Sequence, residues 1–194
     1  PLGYECNAYE RDPVPGGLMR TNIPSFRLPA KVLDEECDQI INMGLNIKYD
    51  YEVKSFKEFL KFDHDAIFVG TGAPKGKDLN LPGRSEASKN IHIGIDFLAS
   101  VAFEHVSKIG KKVIVLGGGN TAMDCCRTAV RLGGKQVGVY VRSPKVDMKA
   151  SDWEIEEAEL ENIPIFENHV PKEFLIKDGK LKGMLFEKVT AQYK

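Results

Sequence analysis

The sequence has little of what metal and disulfide chemistry requires. Its 194 residues hold four cysteines, Cys6, Cys37, Cys125 and Cys126, and no two of them form a C-x-x-C pair. Neither a zinc ribbon nor an iron–sulfur site is therefore written in the chain. Cys125 and Cys126 are adjacent in a predicted helix, where neighbouring side chains diverge by about 100°. They read as small packing residues and not as a redox dithiol. None of His64, His92, His105 and His169 has a partner spacing that suggests a metal or a catalytic triad, and the single tryptophan, Trp153, reads as packing for the first turn of its helix. No apolar run approaches the roughly 18 residues that span a bilayer, and the opening Pro1-Leu-Gly-Tyr-Glu-Cys lacks a basic flank leading into an apolar segment. A surplus of charge is missing too: 27 basic and 28 acidic residues leave a net charge of -1. That balance gives no sequence-wide footprint for nucleic acid or an anionic membrane. These absences imply a cytosolic protein that binds charged ligands locally and needs an organic carrier if it handles electrons.

What is present is an ordinary globular composition, 42% hydrophobic, enough for a core. Tyr4 to Glu10 reads as a short strand ending on an acid. After a loop with Pro13, Pro15, Gly16, Gly17 and Pro24, a helix is predicted from Pro29, with Leu33, Cys37, Ile40 and Ile41 at helical spacing and Gly44 as its stop. Leu45 to Tyr49 suggests a strand, Ser55 a cap for a short helix over 56–61, and Asp65 to Ala73 a buried strand ending in a small-residue turn. The Gly-, Pro- and charge-rich segment 75–90 is the candidate connection between two domains, 1–74 and 75–194.

From Ile93 the pattern predicts a helix to Val106, a strand over 113–116, a helix over 121–132, a strand over 136–141, a helix over 152–161 and a strand over 163–166. This alternation is that of a parallel α/β sheet. Ser151-Asp-Trp-Glu154 carries a capping-box signature for the last helix. Near the end, Asp178-Gly179 between two strand-like runs is the strongest hairpin signal in the chain.

The chemistry is written in Val113-Ile-Val-Leu-Gly-Gly-Gly-Asn-Thr-Ala-Met-Asp124. Residues Gly117, Gly118, Gly119, Asn120, Thr121 and Ala122 fit G-x-G-x-x-G/A directly after a strand and at the opening of a helix, inside a βαβ unit. Gly117 makes the tight turn, Gly119 leaves room for a pyrophosphate, and Ala122 lets helix and strand approach; the helix is expected to bury Ala122, Cys126, Ala129 and Val130 on one stripe. Free N–H groups and the positive end of the helix dipole favour an anion there. Readers of NAD carry an acid near the end of the next strand for the ribose 2′-hydroxyl. Here that place holds Val139-Tyr-Val-Arg-Ser143. A cation, Arg142, with Ser143 beside it, stands where a carboxylate would repel a 2′-phosphate, which points to NADP(H).

Four motifs in order, Glu10-Arg-Asp-Pro-Val-Pro-Gly-Gly-Leu-Met-Arg20, Ile23-Pro-Ser-Phe-Arg-Leu-Pro29, Gly70-Thr-Gly-Ala73 and Gly117-Gly-Gly-Asn-Thr-Ala-Met-Asp-Cys125, resemble the glutamate synthase small (beta) subunit family, flavoproteins related to the electron-input part of dihydropyrimidine dehydrogenase. The resemblance implies an α/β fold: a Rossmann-like three-layer NADP-binding domain with a parallel sheet and a β-hairpin or meander, plus part of a second, FAD-binding Rossmann-type domain. It implies that NADPH reduces FAD and that electrons pass on to an iron–sulfur acceptor or a large catalytic subunit, with no side chain acting as acid or nucleophile. By the same resemblance Glu10 matches the acid that holds the FAD ribose, Gly16, Gly17 and Leu18 the loop beside the flavin, and Thr71 and Gly72 an Ala-Thr-Gly turn whose alanine is Gly70 here. Arg142 matches the second arginine of a Tyr-Arg-Arg stretch whose first is Val141 in this chain. The FAD glycine fingerprint before Glu10 and a closing segment beyond Lys194 are missing, so the chain is expected to be a piece of a longer protein that binds NADPH without reducing an acceptor alone. A disulfide reductase on the same plan and a non-catalytic nucleotide-sensing module are the alternatives.

Overall fold

The computed structural model describes residues 2–190 of the chain, whose backbone forms three separate sheets. The chain divides into two units, Pro1–Pro74 and Lys75–Lys194.

In the first unit β1 (Cys6–Tyr9) is followed by the short helix α1 (Gly17–Asn22) and by α2 (Ala30–Ile41). Strand β2 (Leu45–Lys48) then returns parallel to β1, with Cys6 opposite Leu45 and Tyr9 opposite Lys48. Pro29 sits just before α2, where its missing N–H leaves no helix bond unmade, and Gly44, at φ +101°, turns the chain out of the helix. Helix α3 (Phe56–Phe59) starts on Ser55, whose side chain accepts from Glu58 N–H at 3.3 Å. Tyr9 stacks its ring edge-on to Phe59, 4.9 Å between centroids, which anchors α3 to the end of β1.

The strand predicted over 65–73 does not form: those residues belong to no strand among the described residues, and Phe68 is 95% exposed. Four apolar residues in a row suit a strand only if a neighbouring backbone completes the ladder. The two-stranded sheet of this unit stops at β1 and β2.

The second unit contains α4 (Gly94–Ala102), β3 (Lys112–Leu116), α5 (Asn120–Arg131), β4 (Gln136–Tyr140), α6 (Asp152–Leu160), β5 (Ile165–Phe166), β6 (His169–Lys177) and β7 (Lys180–Lys188). Strands β3, β4 and β5 form a parallel sheet in that order, with Leu116 opposite Tyr140 and Val139 opposite Ile165. Val137, Val139 and Val141 alternate onto one face and pack with Met123, Cys126 and Ala129 of α5 and Ile155 and Ala158 of α6. Tyr140 alternates onto the opposite face, stacked against Phe166 at 4.6 Å and Phe186 of β7 at 4.3 Å. The β6–β7 hairpin thus covers the face the helices leave, and helices, sheet and hairpin make three layers. The hairpin turns on Asp178 (φ +53°) and Gly179 (φ +66°), the left-handed pair of a type I′ turn.

Two further expectations are corrected. Helix α4 ends before Val106, because Glu104 takes φ +60°. Helix α5 is not buried on a single stripe: residues 122–129 are all buried, since Cys125 packs with Phe97 and Leu98 of α4 on one side while Ala122 and Cys126 face the sheet. Trp153, in the first turn of α6, is 50% exposed. The 75–90 segment is also more than a connection, since Ala87 is fully buried and Phe174 N–H donates to Pro82 O at 2.9 Å. Among the described residues no helix is long and apolar enough to cross a membrane.

Candidate functional site

Strand β3 ends at Leu116, and the next residue, Gly117, takes φ +126°, a backbone region that side chains rarely adopt. Its N–H donates to Tyr140 O at 3.1 Å, so the turn lies across the end of β4. Gly119 precedes α5, and a Cβ added there would meet nothing within 4 Å: the space over the helix tip is open. A Cβ on Gly117 would lie 3.8 Å from Ala122 Cβ, so small residues let strand and helix approach. No side chain caps α5 and its first turn carries no acid. The first N–H groups of a helix lack full partners within it; here Ala122 N–H donates to Gly119 O at 2.9 Å, and the positive end of a twelve-residue helix lies at this tip. The donor set suits a phosphate. Asn120 and Thr121 are exposed at this tip, while Ala122 is buried.

A second segment closes on the turn from behind. Gly118 O accepts from Lys149 N at 2.8 Å and from Ala150 N at 2.9 Å, and Asn120 Oδ1 accepts from Ser151 N at 2.9 Å. This overturns the expected capping box at Ser151: its side chain makes no cap bond to α6, and the amide that Glu154 would have bonded is already held by Asn120. The carboxylate of Glu154 is turned instead toward Arg127, 3.9 Å away. Val141, where the resemblance has an arginine, is 2% exposed and belongs to the core. Arg142, the next residue, is exposed, and among the described residues it has no carboxylate in ion-pair range. Ser143 is half-buried, its carbonyl accepting from Asn168 N at 3.2 Å.

In the first unit, Glu10 follows β1, its N–H donating to Lys48 O at 2.9 Å and its Oε1 accepting from Asp12 N at 2.9 Å. Gly16 (φ +115°) and Gly17 (φ +49°) open α1, and Leu18 comes within 3.5 Å of where a Cβ on Gly72 (φ +69°) would stand. The loop at 16–18 and the turn at 71–72 are thus neighbours, with Thr71 exposed beside them. Among the described residues this unit has no second strand, glycine turn and helix of the kind found at 113–131.

Sequence reasoning missed the interface behind the turn. Arg127 of α5, 7% exposed, donates to Glu161 at 2.8 Å and to Glu157 of α6, while Arg131 donates to Glu161 at 2.7 Å. The Arg131 hydrogen bond, with help from Arg127, holds the Glu161 carboxyl below its usual range. Burial works against the Arg127 charge, but the hydrogen bond and charge of Glu161 outweigh it and raise Arg127. Acids at helical spacing on α6, facing arginines on α5, were the available signal. The cysteines of α5 point to different neighbours, Cys125 Sγ to Gly94 O at 3.6 Å and Cys126 Sγ to Met123 O at 3.1 Å. Burial pushes each thiol up to about 12, which keeps both protonated and poor as nucleophiles.

A family model for pyridine nucleotide-disulphide oxidoreductases matches residues 21–193. The chain is 34% identical over 183 residues to the NADPH-Fe(3+) oxidoreductase subunit beta of Geobacter sulfurreducens, covering 92% of this chain and 27% of that one. It is 33% identical over 187 residues to the glutamate synthase (NADPH) small chain of Azospirillum brasilense, covering 89% and 38%. With the NAD-dependent dihydropyrimidine dehydrogenase subunit PreT of Salmonella typhimurium it shares 34% identity over 174 residues, covering 88% and 41%. FprA of Mycobacterium tuberculosis, solved in complex with NADPH, has the same fold: TM-score 0.75 at 17% identity, over 94% of this chain and 56% of that one. The chain spans only about a quarter to two fifths of the three curated relatives named here.

Proposed function

The chain belongs to the pyridine nucleotide-disulphide oxidoreductase family, and from that premise we propose that it is the nucleotide-handling part of an NADPH-dependent flavoprotein oxidoreductase of the glutamate synthase small-subunit type. The carrying observation is the uncapped tip of α5 behind Gly117–Gly119, with Arg142 exposed at the end of the adjacent strand. In this reading the amides of the turn hold the pyrophosphate of NADP(H), and Arg142 faces the 2′-phosphate. Thr121 and the backbone of Gly118 to Asn120 line the same tip, and Ser143 positions Arg142 through its carbonyl bond to Asn168.

FAD belongs to the whole protein, where Glu10 would hold its ribose and the neighbouring segments Gly16 to Leu18 and Thr71-Gly72 would border the flavin. The chemistry supplied by the bound cofactors is hydride passage from nicotinamide C4 to flavin N5, while the protein binds, orients and excludes water. The partner in this reading is an iron–sulfur acceptor or a large catalytic subunit in the cytosol. A disulfide reductase is disfavoured, since Cys125 and Cys126 are buried, protonated and turned to different neighbours.

Calorimetric titration of the full-length protein with NADPH and NADH, wild type against Arg142→Ala, tests the proposal. Loss of a charged hydrogen bond predicts a penalty of about 1.5–3 kcal/mol falling on NADPH and sparing NADH. Equal affinity of wild type and variant for NADPH would remove Arg142 from the site, and no binding of either nucleotide by wild type would remove the site itself.

A further inference from the structure

A groove runs beside α6, open to solvent and about 570 Å3 in volume. Its apolar lining comes from Ile155 of the helix, 6% exposed, and from Met148 and Val146 of the preceding loop. Val146 is 80% exposed. Apolar surface continues on the other side of the helix. At about 100° per residue, Trp153 and Leu160 fall on one outer stripe of α6, and they are 50% and 81% exposed. Single apolar side chains in water need no explanation, but a stripe of them beside an apolar groove marks a contact surface.

Charge decides what fits there. The nine residues of α6 include Asp152, Glu154, Glu156, Glu157 and Glu159 and no base. Three of these acids are answered within the fold: Glu154 and Glu157 face Arg127, and Glu159 holds Lys145 at 2.6 Å. Asp152 and Glu156, one turn apart, are exposed, and among the described residues neither has a cation in ion-pair range. Both line the groove, and around the helix they lie between Ile155 on one side and the Trp153–Leu160 stripe on the other. Lys145, the sole cation among the described residues of the groove, is already held by Glu159. The surplus is negative, so the face repels nucleic acid, an anionic membrane and the phosphates of a dinucleotide. Small-molecule sites enclose most of their ligand, whereas this groove is open and continuous with a helix face. A row of acids between two apolar borders is complementary to a helix that carries basic residues between apolar ones.

We propose that the outer face of α6, with the groove beside it, is the docking surface for a basic, amphipathic helix of a partner protein. Arginine or lysine heads of that helix meet Asp152 and Glu156, and its apolar residues cover Leu160 and Trp153 on one side and Val146 on the other. None of these side chains is among those assigned to the dinucleotide, so the two readings stand or fall separately. The test is fluorescence anisotropy of the full-length protein with a labelled helical peptide that repeats leucine and arginine at helical spacing, against the same peptide with glutamate in place of arginine. Wild type should bind the arginine peptide, less tightly as salt is raised, and should not bind the glutamate peptide. Glu156→Lys and Leu160→Ser should each raise the dissociation constant on the order of tenfold. Both positions are exposed, so the melting temperature and the NADPH affinity of the variants should match wild type. Equal affinity of wild type and both variants for the arginine peptide would overturn the proposal, as would wild type that binds NADPH and neither peptide. A full-length dimer that Leu160→Ser converts to monomer, read by sedimentation, would overturn it too, because a second copy of the chain would then be the occupant. Peptide binding without nucleotide binding would leave the docking surface standing and remove the dinucleotide site.

Discussion

Replacing Arg127 with methionine takes a guanidinium out of a nearly dry interface between α5 and α6. The side chain of Arg127 is 8% exposed and meets three carboxylates of α6, those of Glu154, Glu157 and Glu161. They do not suffer equally from its loss. Glu161 keeps Arg131 at 2.7 Å, and Glu157, 44% exposed, can turn toward water. Glu154 is 0% exposed, so water does not reach its carboxylate. Removing one side of a buried ion pair costs about 3–5 kcal/mol, against a typical total stability of about 5–15 kcal/mol. Urea unfolding of the full-length protein at pH 7, followed by circular dichroism and by the fluorescence of Trp153 on α6, should show a midpoint lowered by about 1 M or more. Adding Glu154→Gln to Arg127→Met should recover part of the loss, because the buried carboxylate that faced Arg127 is then uncharged.

The pH dependence has a defined sign. The folded-state carboxyl of Glu161 lies below its unfolded value, mainly through the hydrogen bond from Arg131, so its contribution is present above the ordinary glutamate range near about 4.3 and disappears as pH falls through the folded value. The variant, lacking the Arg127 hydrogen bond to Glu161, has less of this contribution to lose. The gap between wild type and Arg127→Met should therefore narrow from pH 7 toward pH 4. A loss below about 1 kcal/mol at pH 7, or a double variant no more stable than Arg127→Met, would refute the assignment of the penalty to Glu154.

Gly118→Val would drive a branched side chain into Val141 and Met148, 3.1 Å from where its Cβ begins; differential scanning calorimetry should register a loss of about 1–3 kcal/mol, and an unchanged melting temperature would contradict the packing account. In a disulfide-exchange assay on the native chain, exposed Cys6 should react promptly, whereas Cys125 and Cys126, each pushed up to about 12 by burial, should respond only after denaturation. Prompt reaction of either helix thiol would show that α5 opens in the native state.

Much of the second unit was legible in one dimension because its signals are local. The strand at 112–116, the glycines at 117–119 and the helix from Asn120 are read by period and by backbone freedom alone, and the observed bounds of β3 and α5 fall within one residue of those expected. The I′ turn at Asp178-Gly179 is equally local, since two residues with positive φ suffice to define it. Where the reading failed, the missing information lay across the fold. The run at 65–73 has a strand's composition without a strand's neighbour. Ser151 and Glu154 have the spacing of a capping box, yet Asn120, thirty-one residues earlier, holds the amide that the box needs.

The sequence by itself determined that a glycine turn and the start of a helix would follow a strand here, because glycines and apolar periodicity act through the nearest residues along the chain. Only the tertiary structure decided which cations stand uncompensated beside that tip. Arg127, Arg131 and Lys145 are as basic as Arg142, but α6 brings carboxylates to the first three. Coulombic pairing depends on distance in space, and distance in space is set by how the helices and the loop at 142–151 pack.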